Sequence, residues 1–376
     1  MNVSVSQPNL AQALSVVTHA VSSRSSLPIL ENILLETQQD QLCLSATNLE
    51  LGLKYWIPAQ VEEEGSVTIP AKIFTDLVNQ MAADTVTLKL TEATQTITVK
   101  CLKLVTDIRG IESSEFPPLP EFNETEAISF EMQELKKMIG QVAFAAATDD
   151  NRPVLHGIKM DAEGNNLSMA ATDGFRVAVK KILLKNEISA PMSAIIPAAA
   201  MKELARMAGA NDKTVLMSFC NGHSQVIFHL ENGELACQLI AGEFVNYQAI
   251  IPHSFKTTTT ISTAVLLKAC GAAGVIAREN KNLIKLDIQT AEDTTARILI
   301  TAVSEQNGNQ ENWVPANVEG EDIIIAFNVR YIQDVLNVID SPNVHLLTNA
   351  SMSPAMIVPA DEEDDYKYVI MPMHIP

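Results

Sequence analysis

The chain carries three copies of one set of landmarks, in the same order, at a spacing close to one third of its 376 residues. The landmarks are a proline-led apolar segment, a strand that closes on a turn, and a strand that leads directly into an amphipathic helix. They occur at 28, 153 and, more weakly, 282, then at 47, 172 and 301, and finally at 70, 197 and 328. Copies of this length can each bury a core, unlike the short units of a solenoid. The sequence therefore predicts three homologous domains.

Each copy contains the same order of secondary structure. A short strand leads into a helix with apolar residues at spacings of three and four, and β-branched strands and a second helix follow. The helices are predicted over 8–21, 71–81, 132–145, 198–208, 264–281 and 329–339. Proline- or threonine-rich segments at 116–125 and 251–260 separate the copies. We therefore predict α+β domains at 1–123, 124–254 and 255–376.

The composition excludes several classes of protein. Residues of the hydrophobic types make up 47 % of the chain, which is too many for a disordered chain, and no run approaches the ~18 apolar residues of a membrane span. The first residues lack the basic start and apolar run of a secretory signal. Five scattered cysteines without a CxxC spacing are typical of reduced, buried thiols. We therefore predict a cytoplasmic protein.

Charge is divided unevenly between the helices and the rest of the chain. The chain has 26 basic and 45 acidic residues, a net charge of −19, which ordinarily argues against a nucleic-acid partner. The six helical windows, however, hold nine basic and five acidic residues. The good helix propensity of lysine and arginine is one explanation. The other is a helical surface that attracts a polyanion weakly, without reading its sequence.

Sequence motifs of the common catalytic and cofactor sites are absent. The chain contains no glycine-rich nucleotide loop, no HExxH, no GxSxG and no CxxC, and its seven histidines are dispersed. The acidic run at 361–365 lacks the glycine and the ligand spacing of a calcium loop. Cys101 is interpreted as a small core residue of a strand. The sequence therefore predicts no catalytic residue, no metal and no cofactor.

Four strings of the sequence closely resemble the β subunit of bacterial DNA polymerase III, the sliding clamp. They are LPIL at 27–30, ATDGFR at 171–176, FNVRYIQDVLN at 327–337 and YVIMPMHI at 368–375. The resemblance implies three repeated clamp domains, each with two helices and two antiparallel sheets, and a head-to-tail homodimer that forms a six-domain ring. It implies a non-enzymatic processivity factor that encircles duplex DNA and slides on it. Partners would be the replicative polymerase and clamp-loader subunits, with no membrane involved.

The resemblance also implies a partner-peptide pocket between domains 2 and 3. The matching positions are Leu155, Thr172, Gly174, Phe175, Arg176, Val177, Val245, Ile250, Tyr331, Val369, Ile370, Met371, Pro372 and Met373. Three positions depart from the family pattern, since Val245 replaces a proline and Ala249 and His374 stand where arginine is common. The loss of two cations suggests a more apolar pocket that is less selective for acidic peptides.

Two further sets of residues follow from the resemblance together with the helical charges. The DNA-facing set consists of Arg24, Lys72, Lys136, Lys137, Arg152, Lys202, Arg206, Lys268, Arg278 and Arg330. The dimer edge is predicted at Ile108, Val275 and Ile276. The first helix has no lysine or arginine, so domain 1 is expected to attract DNA less than the other domains.

Two other functional classes stay open on the sequence alone. The first is a monomeric three-domain scaffold that binds peptide partners without closing on DNA. The second is a metal-dependent enzyme that uses carboxylates such as Asp361 and Asp365. The mass in solution separates the scaffold from the ring, and loss of catalysis on replacing the two carboxylates would identify the enzyme.

Overall fold

The computed structural model describes residues 1–22, 27–149, 152–209, 212–290, 297–306, 308–361 and 364–375, without the side chain of Ser189. The contacts divide the chain into two compact units. Unit 1 comprises Met1–Lys136 and Lys202–Leu239, and unit 2 comprises Lys137–Met201 and Ile240–Pro376. No helix of the described residues is long and apolar enough to cross a membrane.

The described residues form six α-helices, two in each predicted domain. They are α1 (Gln7–Val17), α2 (Ala71–Asn79), α3 (Met132–Val142), α4 (Ala198–Met207), α5 (Thr263–Ala277) and α6 (Val329–Leu336). Each helix begins within one residue of its predicted start and ends before its predicted end. After α1 and α3 the chain tightens into 3₁₀ turns. After α5 it turns back through Lys281 and Asn282, whose φ angles are 52° and 58°.

Twenty-three strands complete the described fold. They are β1 (Asn2–Ser6), β2 (Asn32–Gln38), β3 (Gln41–Thr47), β4 (Leu51–Glu63), β5 (Ser66–Pro70), β6 (Thr85–Thr91), β7 (Thr96–Cys101), β8 (Leu104–Arg109), β9 (Ile128–Glu131), β10 (Gly157–Thr172), β11 (Arg176–Pro197), β12 (Thr214–Cys220), β13 (Gln225–His229), β14 (Gly233–Gln238), β15 (Thr257–Ser262), β16 (Leu283–Gln289), β17 (Arg297–Ser304), β18 (Gly308–Pro315), β19 (Asn317–Glu319), β20 (Ile323–Asn328), β21 (Asn343–Thr348), β22 (Ala355–Pro359) and β23 (Tyr366–Ile370).

All strand pairs of the described residues are antiparallel, and they form one sheet in unit 1 and two in unit 2. The sheet of unit 1 has twelve strands, with the path β8-β7-β6-β1-β4-β14-β13-β12-β9 and with β3, β2 and β5 attached through β4. In unit 2 a seven-stranded sheet runs β10-β11-β23-β22-β21-β15-β19, and a four-stranded sheet runs β18-β17-β16-β20. The pairs β4–β14 and β11–β23 each connect strands from successive sequence repeats.

The cores follow from the side-chain periods of the elements. Strand β16 alternates between buried and half-buried residues, as period two requires. Helix α6 buries Val329, Ile332, Val335 and Leu336, which share one helical face.

The landmarks of the repeat coincide with element boundaries. Strands β5, β11 and β20 end at Pro70, Pro197 and Asn328, and each continues directly into a helix. The turn landmark is met at the ends of β3 and β10, but in the third copy β17 continues past Thr301 to Ser304. The Ser304 Oγ accepts a hydrogen bond from the backbone N–H two residues later, as the threonines at 47 and 172 do. Ser304 is therefore the equivalent residue, and the assignment of Thr301 is wrong by three positions.

Candidate functional site

The turn between β10 and β11 is held by its own side chains. The Thr172 hydroxyl donates to the Arg176 carbonyl at 2.6 Å and accepts from the Gly174 N–H at 3.0 Å. One carboxylate oxygen of Asp173 accepts from the N–H groups of Phe175 and Arg176 at 2.8 and 3.1 Å. Gly174 has a φ of 92°, which a side chain disfavours. This fixed turn presents the ring of Phe175, which is 59 % exposed.

Arg176 ties this turn to α6. Its guanidinium donates to Asp173 at 2.9 Å, to Asp334 of α6 at 2.5 Å and to the Phe144 carbonyl at 2.9 Å. It also lies over the ring of Tyr331, with its central carbon 4.4 Å from the ring centroid. The side chain is only 10 % exposed, and each of its three nitrogens donates to a partner. Arg176 therefore acts as a structural residue that connects the turn to α6.

Tyrosine hydroxyls complete the polar contacts around Arg176. The buried Tyr366 and Tyr368 donate to the carbonyls of Gln141 and Tyr331, both at 2.9 Å. Burial raises the pKa of Tyr331 and Tyr368 above the ordinary value of tyrosine, so neither ionises near neutral pH.

An apolar cluster lies beside the turn. Its buried members are Ala170, Val177, Val179, Tyr247, Met356 and Val369, and Phe244, Ile251, Phe255, Leu347 and Val358 pack on it. Val177 of β11 is paired in register with Val369 of β23. The Met371 N–H donates to the Phe175 carbonyl at 2.9 Å, which brings the last strand of the chain to the turn.

The fourteen predicted pocket residues divide into three groups by exposure. Leu155, Thr172, Arg176, Val177, Val369 and Ile370 are buried, and Tyr331, Pro372 and Met373 are half-buried. Gly174, Phe175, Val245, Ile250 and Met371 are exposed. The buried residues can only shape the surface, so the exposed ones would make most of the contact with a bound peptide.

Arg152, one of the predicted DNA-facing residues, contacts this turn. Its guanidinium donates to the Asp173 carbonyl at 2.7 Å. A Cβ atom at Gly174 would lie 2.7 Å from an Arg152 nitrogen, so a side chain there would displace the end of this arginine. Sequence reasoning also missed Asp334 and Phe144 as partners of Arg176. Asp173, in contrast, was signalled by its place in ATDGFR, where aspartate commonly bonds the N–H two residues on.

The predicted DNA-facing residues are partly engaged. Lys137 pairs with Asp340 at 3.0 Å, and the half-buried Lys136 donates to the Ala208 carbonyl at 3.3 Å. Arg206 pairs with Glu203 and reaches a main-chain carbonyl of α1 at 3.4 Å. Lys72, Lys202, Lys268, Arg278 and Arg330 are exposed. Arg24 lies outside the described residues.

The predicted dimer edge also divides by exposure. Val275 on α5 is 65 % exposed, and Ile276 beside it is half-buried. Ile108 points into the core with 5 % exposure, whereas Val105 on the same edge strand, β8, is 59 % exposed. The accessible apolar side chains of this strand are therefore Leu104 and Val105.

Two carboxylates of the acidic run at 361–365 pair with lysines. Asp364 pairs with Lys180 of β11, and Asp365 lies 3.6 Å from Lys367. Within the described part of the chain, no three histidine, cysteine, aspartate or glutamate side chains converge as metal ligands. Residues 362 and 363 lie outside the described residues. The two ion pairs give these carboxylates a structural role.

Comparison with known sequences identifies the family. Sequence models of the N-terminal, central and C-terminal domains of the DNA polymerase III beta subunit match residues 1–120, 129–246 and 248–374. The chain belongs to the DNA polymerase III beta-subunit family. A relative from Synechococcus elongatus, described as a beta sliding clamp, is 29 % identical over 375 residues, which cover 98 % of both chains.

Solved structures of this beta-subunit family share the fold. The DNA polymerase sliding clamp of Bacillus subtilis matches with a TM-score of 0.93 and 26 % identity, and the DNA polymerase III beta chain of Streptococcus pneumoniae matches with 0.92 and 25 %. Both matches cover 100 % of this chain and of the other. The predicted family and the fold of three domains built from helices and antiparallel sheets are therefore confirmed.

Proposed function

We propose that this chain is the processivity factor of a bacterial DNA polymerase, without catalytic activity of its own. Two chains close head to tail into a ring around duplex DNA and slide along it in the cytoplasm. A pocket beside the 172–176 turn holds the replicative polymerase and the clamp loader by short peptides. The observation that carries the proposal is the family match, which extends over all three domains in order.

The strand order of the sheets supports closure of the ring. Strands β14 and β23 each pair with the long strand of the preceding repeat, β4 and β11. Strand β8 holds the equivalent place in the first repeat, at the end of the sheet of unit 1, and β18 ends the four-stranded sheet of unit 2. Pairing of β8 with β18 of a partner would form the same junction a third time. It would also cover two open sheet edges, which otherwise invite aggregation.

Helix geometry is consistent with a DNA-sized bore. Twelve helices from two chains, spaced about 9 Å apart, form a circle of roughly 34 Å between axes. Subtracting about 10 Å for helix thickness leaves roughly 24 Å, enough for a duplex and a layer of water. The predicted DNA-facing residues would then attract phosphates diffusely, which permits sliding.

The decisive experiment combines the mass in solution with retention on DNA. We expect a mass of twice 40.9 kDa, and retention on nicked circular DNA that is lost when the circle is linearised. A 40.9 kDa species would favour the monomeric scaffold. Equal retention on circular and linear DNA would indicate ordinary surface binding and contradict the ring.

Replacing Phe175 by alanine tests the pocket. Because this ring is 59 % exposed, its loss should leave the melting temperature nearly unchanged. Its contact with a bound peptide should disappear, which weakens a polymerase-derived peptide by about tenfold or more. Ile324→Ala, at a residue 46 % exposed on β20, is the matched control. Equal affinity of wild type and Phe175→Ala in a titration would remove the turn from the pocket.

Charge reversal of Lys268 and Arg330 tests the DNA interface. Both residues are exposed, and their helices α5 and α6 pack together. The double change to glutamate should lower loading onto circular DNA and reduce the slope of log affinity against log salt by about 2, because two phosphate contacts are lost. Affinity for the polymerase peptide should not change. Lys256→Glu serves as the control, because Lys256 lies just before β15, whereas α5 follows the other end of that strand. An unchanged salt slope would place these two residues away from DNA.

A further inference from the structure

Unit 1 contains a second copy of the 172–176 turn. The Thr47 hydroxyl donates to the Leu51 carbonyl at 2.9 Å and accepts from the Leu49 N–H at 3.0 Å. The Asn48 side-chain oxygen accepts from the N–H groups of Glu50 and Leu51 at 3.0 and 2.8 Å. Every one of these bonds has its counterpart at 172–176.

The neighbouring strand repeats as well. The Gln238 N–H donates to the Glu50 carbonyl at 3.0 Å, as the Met371 N–H does to the Phe175 carbonyl at 2.9 Å. Cys237 is paired in register with Leu51, as Ile370 is paired with Arg176. The turn of the proposed partner pocket and its connection to the neighbouring strand thus occur twice in one chain.

A cleft of about 220 Å³ opens beside this second turn. Its described lining consists of Thr47, Leu49, Glu50, Gly52, Pro117, Pro118, Leu119, Pro120, Gln225, Ala236, Cys237 and Gln238. Glu50 and Gln238 occupy the places of Phe175 and Met371. The cleft therefore combines an apolar wall with one carboxylate, whereas the exposed part of the other site is apolar.

Leu49 stands where the other turn has Gly174. It has a φ of 76°, which leucine rarely adopts, and its side chain is 48 % exposed at the cleft. Leu49 thus places an apolar side chain at the cleft in a backbone conformation that costs free energy, and this pairing of strain and exposure motivates a contact role.

We propose that this cleft is a second peptide-binding site, specific for a short segment in which leucine flanks lysine or arginine. Leu49 and the wall at 117–120 would contact the leucines, and Glu50 would pair with the cation. The net charge of −19 favours cationic segments further. The proposal goes beyond the processivity function, because it concerns a different partner motif and does not require ring closure.

The test uses the full chain and two capped pentapeptides, both with leucine at positions two and four. One has lysine at position three and the other glutamate, and binding is measured by calorimetric titration. The lysine peptide should bind more tightly to the wild type. Leu49→Asn should weaken it about tenfold without lowering the melting temperature, because asparagine tolerates the left-handed conformation. Leu49→Met should retain binding, and Glu50→Gln should weaken it by about threefold and remove the preference over glutamate.

A matched control is Leu102→Asn, since Leu102 is also an exposed leucine with positive φ but lies outside the cleft. It should bind the lysine peptide like the wild type. No binding to the wild type, or equal binding to Leu49→Asn, would overturn the proposal. Loss of the lysine peptide in Phe175→Ala would also overturn it, because the peptide would then occupy the other turn. The partner pocket is tested separately, by the affinity of Phe175→Ala for the polymerase-derived peptide. If that affinity equals the wild-type value, the partner pocket is wrong, and the proposal for the second cleft is unaffected.

Discussion

Replacing Arg176 by alanine is expected to lower the free energy of unfolding of unit 2 by about 3 kcal/mol. The change leaves Asp173, which is 14 % exposed, without its buried cation, and it removes the donor to the Phe144 carbonyl. Asp334 is 42 % exposed, so water compensates for part of its loss and the value stays at the lower end for a broken buried ion pair. Peptide binding should weaken at the same time, because the turn that presents Phe175 is no longer tied to α6.

The two tryptophans allow this effect to be measured in unit 2 alone. Trp56 lies in unit 1 and Trp313 in unit 2, so urea unfolding in a Trp56→Phe background reports on unit 2. The matched control is Arg297→Ala. Arg297 also stacks on an aromatic ring, 3.9 Å from the Trp313 centroid, but on the surface, so its loss should cost about 1 kcal/mol or less. An equal loss of unfolding free energy for Arg176→Ala and Arg297→Ala would contradict the structural role of Arg176.

Replacing Val275 by glutamate is expected to convert the proposed dimer into monomers. Val275 is 65 % exposed in the single chain, so the change should not affect the fold. In the dimer it would bury a carboxylate at the subunit contact, in a chain that already has a net charge of −19. A penalty of about 3 kcal/mol lowers the dimer affinity more than 100-fold.

Sizing and DNA retention should change together in this variant. The mass should fall from twice 40.9 kDa to 40.9 kDa at micromolar concentration, and retention on nicked circles should vanish. Leu183→Glu is the matched control, because Leu183 is an even more exposed apolar residue, at 75 %, on β11. A dimer that survives Val275→Glu would exclude α5 from the subunit contact.

The fold could be predicted largely because its signals are local. A proline or asparagine at the end of a strand, followed by an amphipathic pattern, marked the starts of α2, α4 and α6 correctly. Helix ends were less accurate, because 3₁₀ turns and the left-handed Lys281 and Asn282 leave little trace in apolar spacing. The third turn was misplaced, since Ser304 replaces the threonine of the other copies.

The site could be predicted only where motif and function coincide in a short string. ATDGFR contains the turn and its self-contained hydrogen bonds. The partner of Arg176 on α6 lies 158 residues away, and nothing in the spacing of the sequence links the two. The same limit explains why the burial of Ile108 was not predicted, because side-chain direction on an edge strand depends on register. It also explains why the contact between Arg152 and the 172–176 turn was not predicted, because this contact depends on tertiary packing.

The ladders β4–β14 and β11–β23 have a mechanical consequence. Each fastens consecutive repeats of one polypeptide by main-chain bonds in addition to the peptide linkage. Strain applied to the proposed ring would therefore be relieved first at the two seams between chains, because strand pairing there is not backed by a peptide linkage. The proposed clamp loader would then need to separate only one seam, without unfolding any domain, and the seam would re-form when the loader leaves.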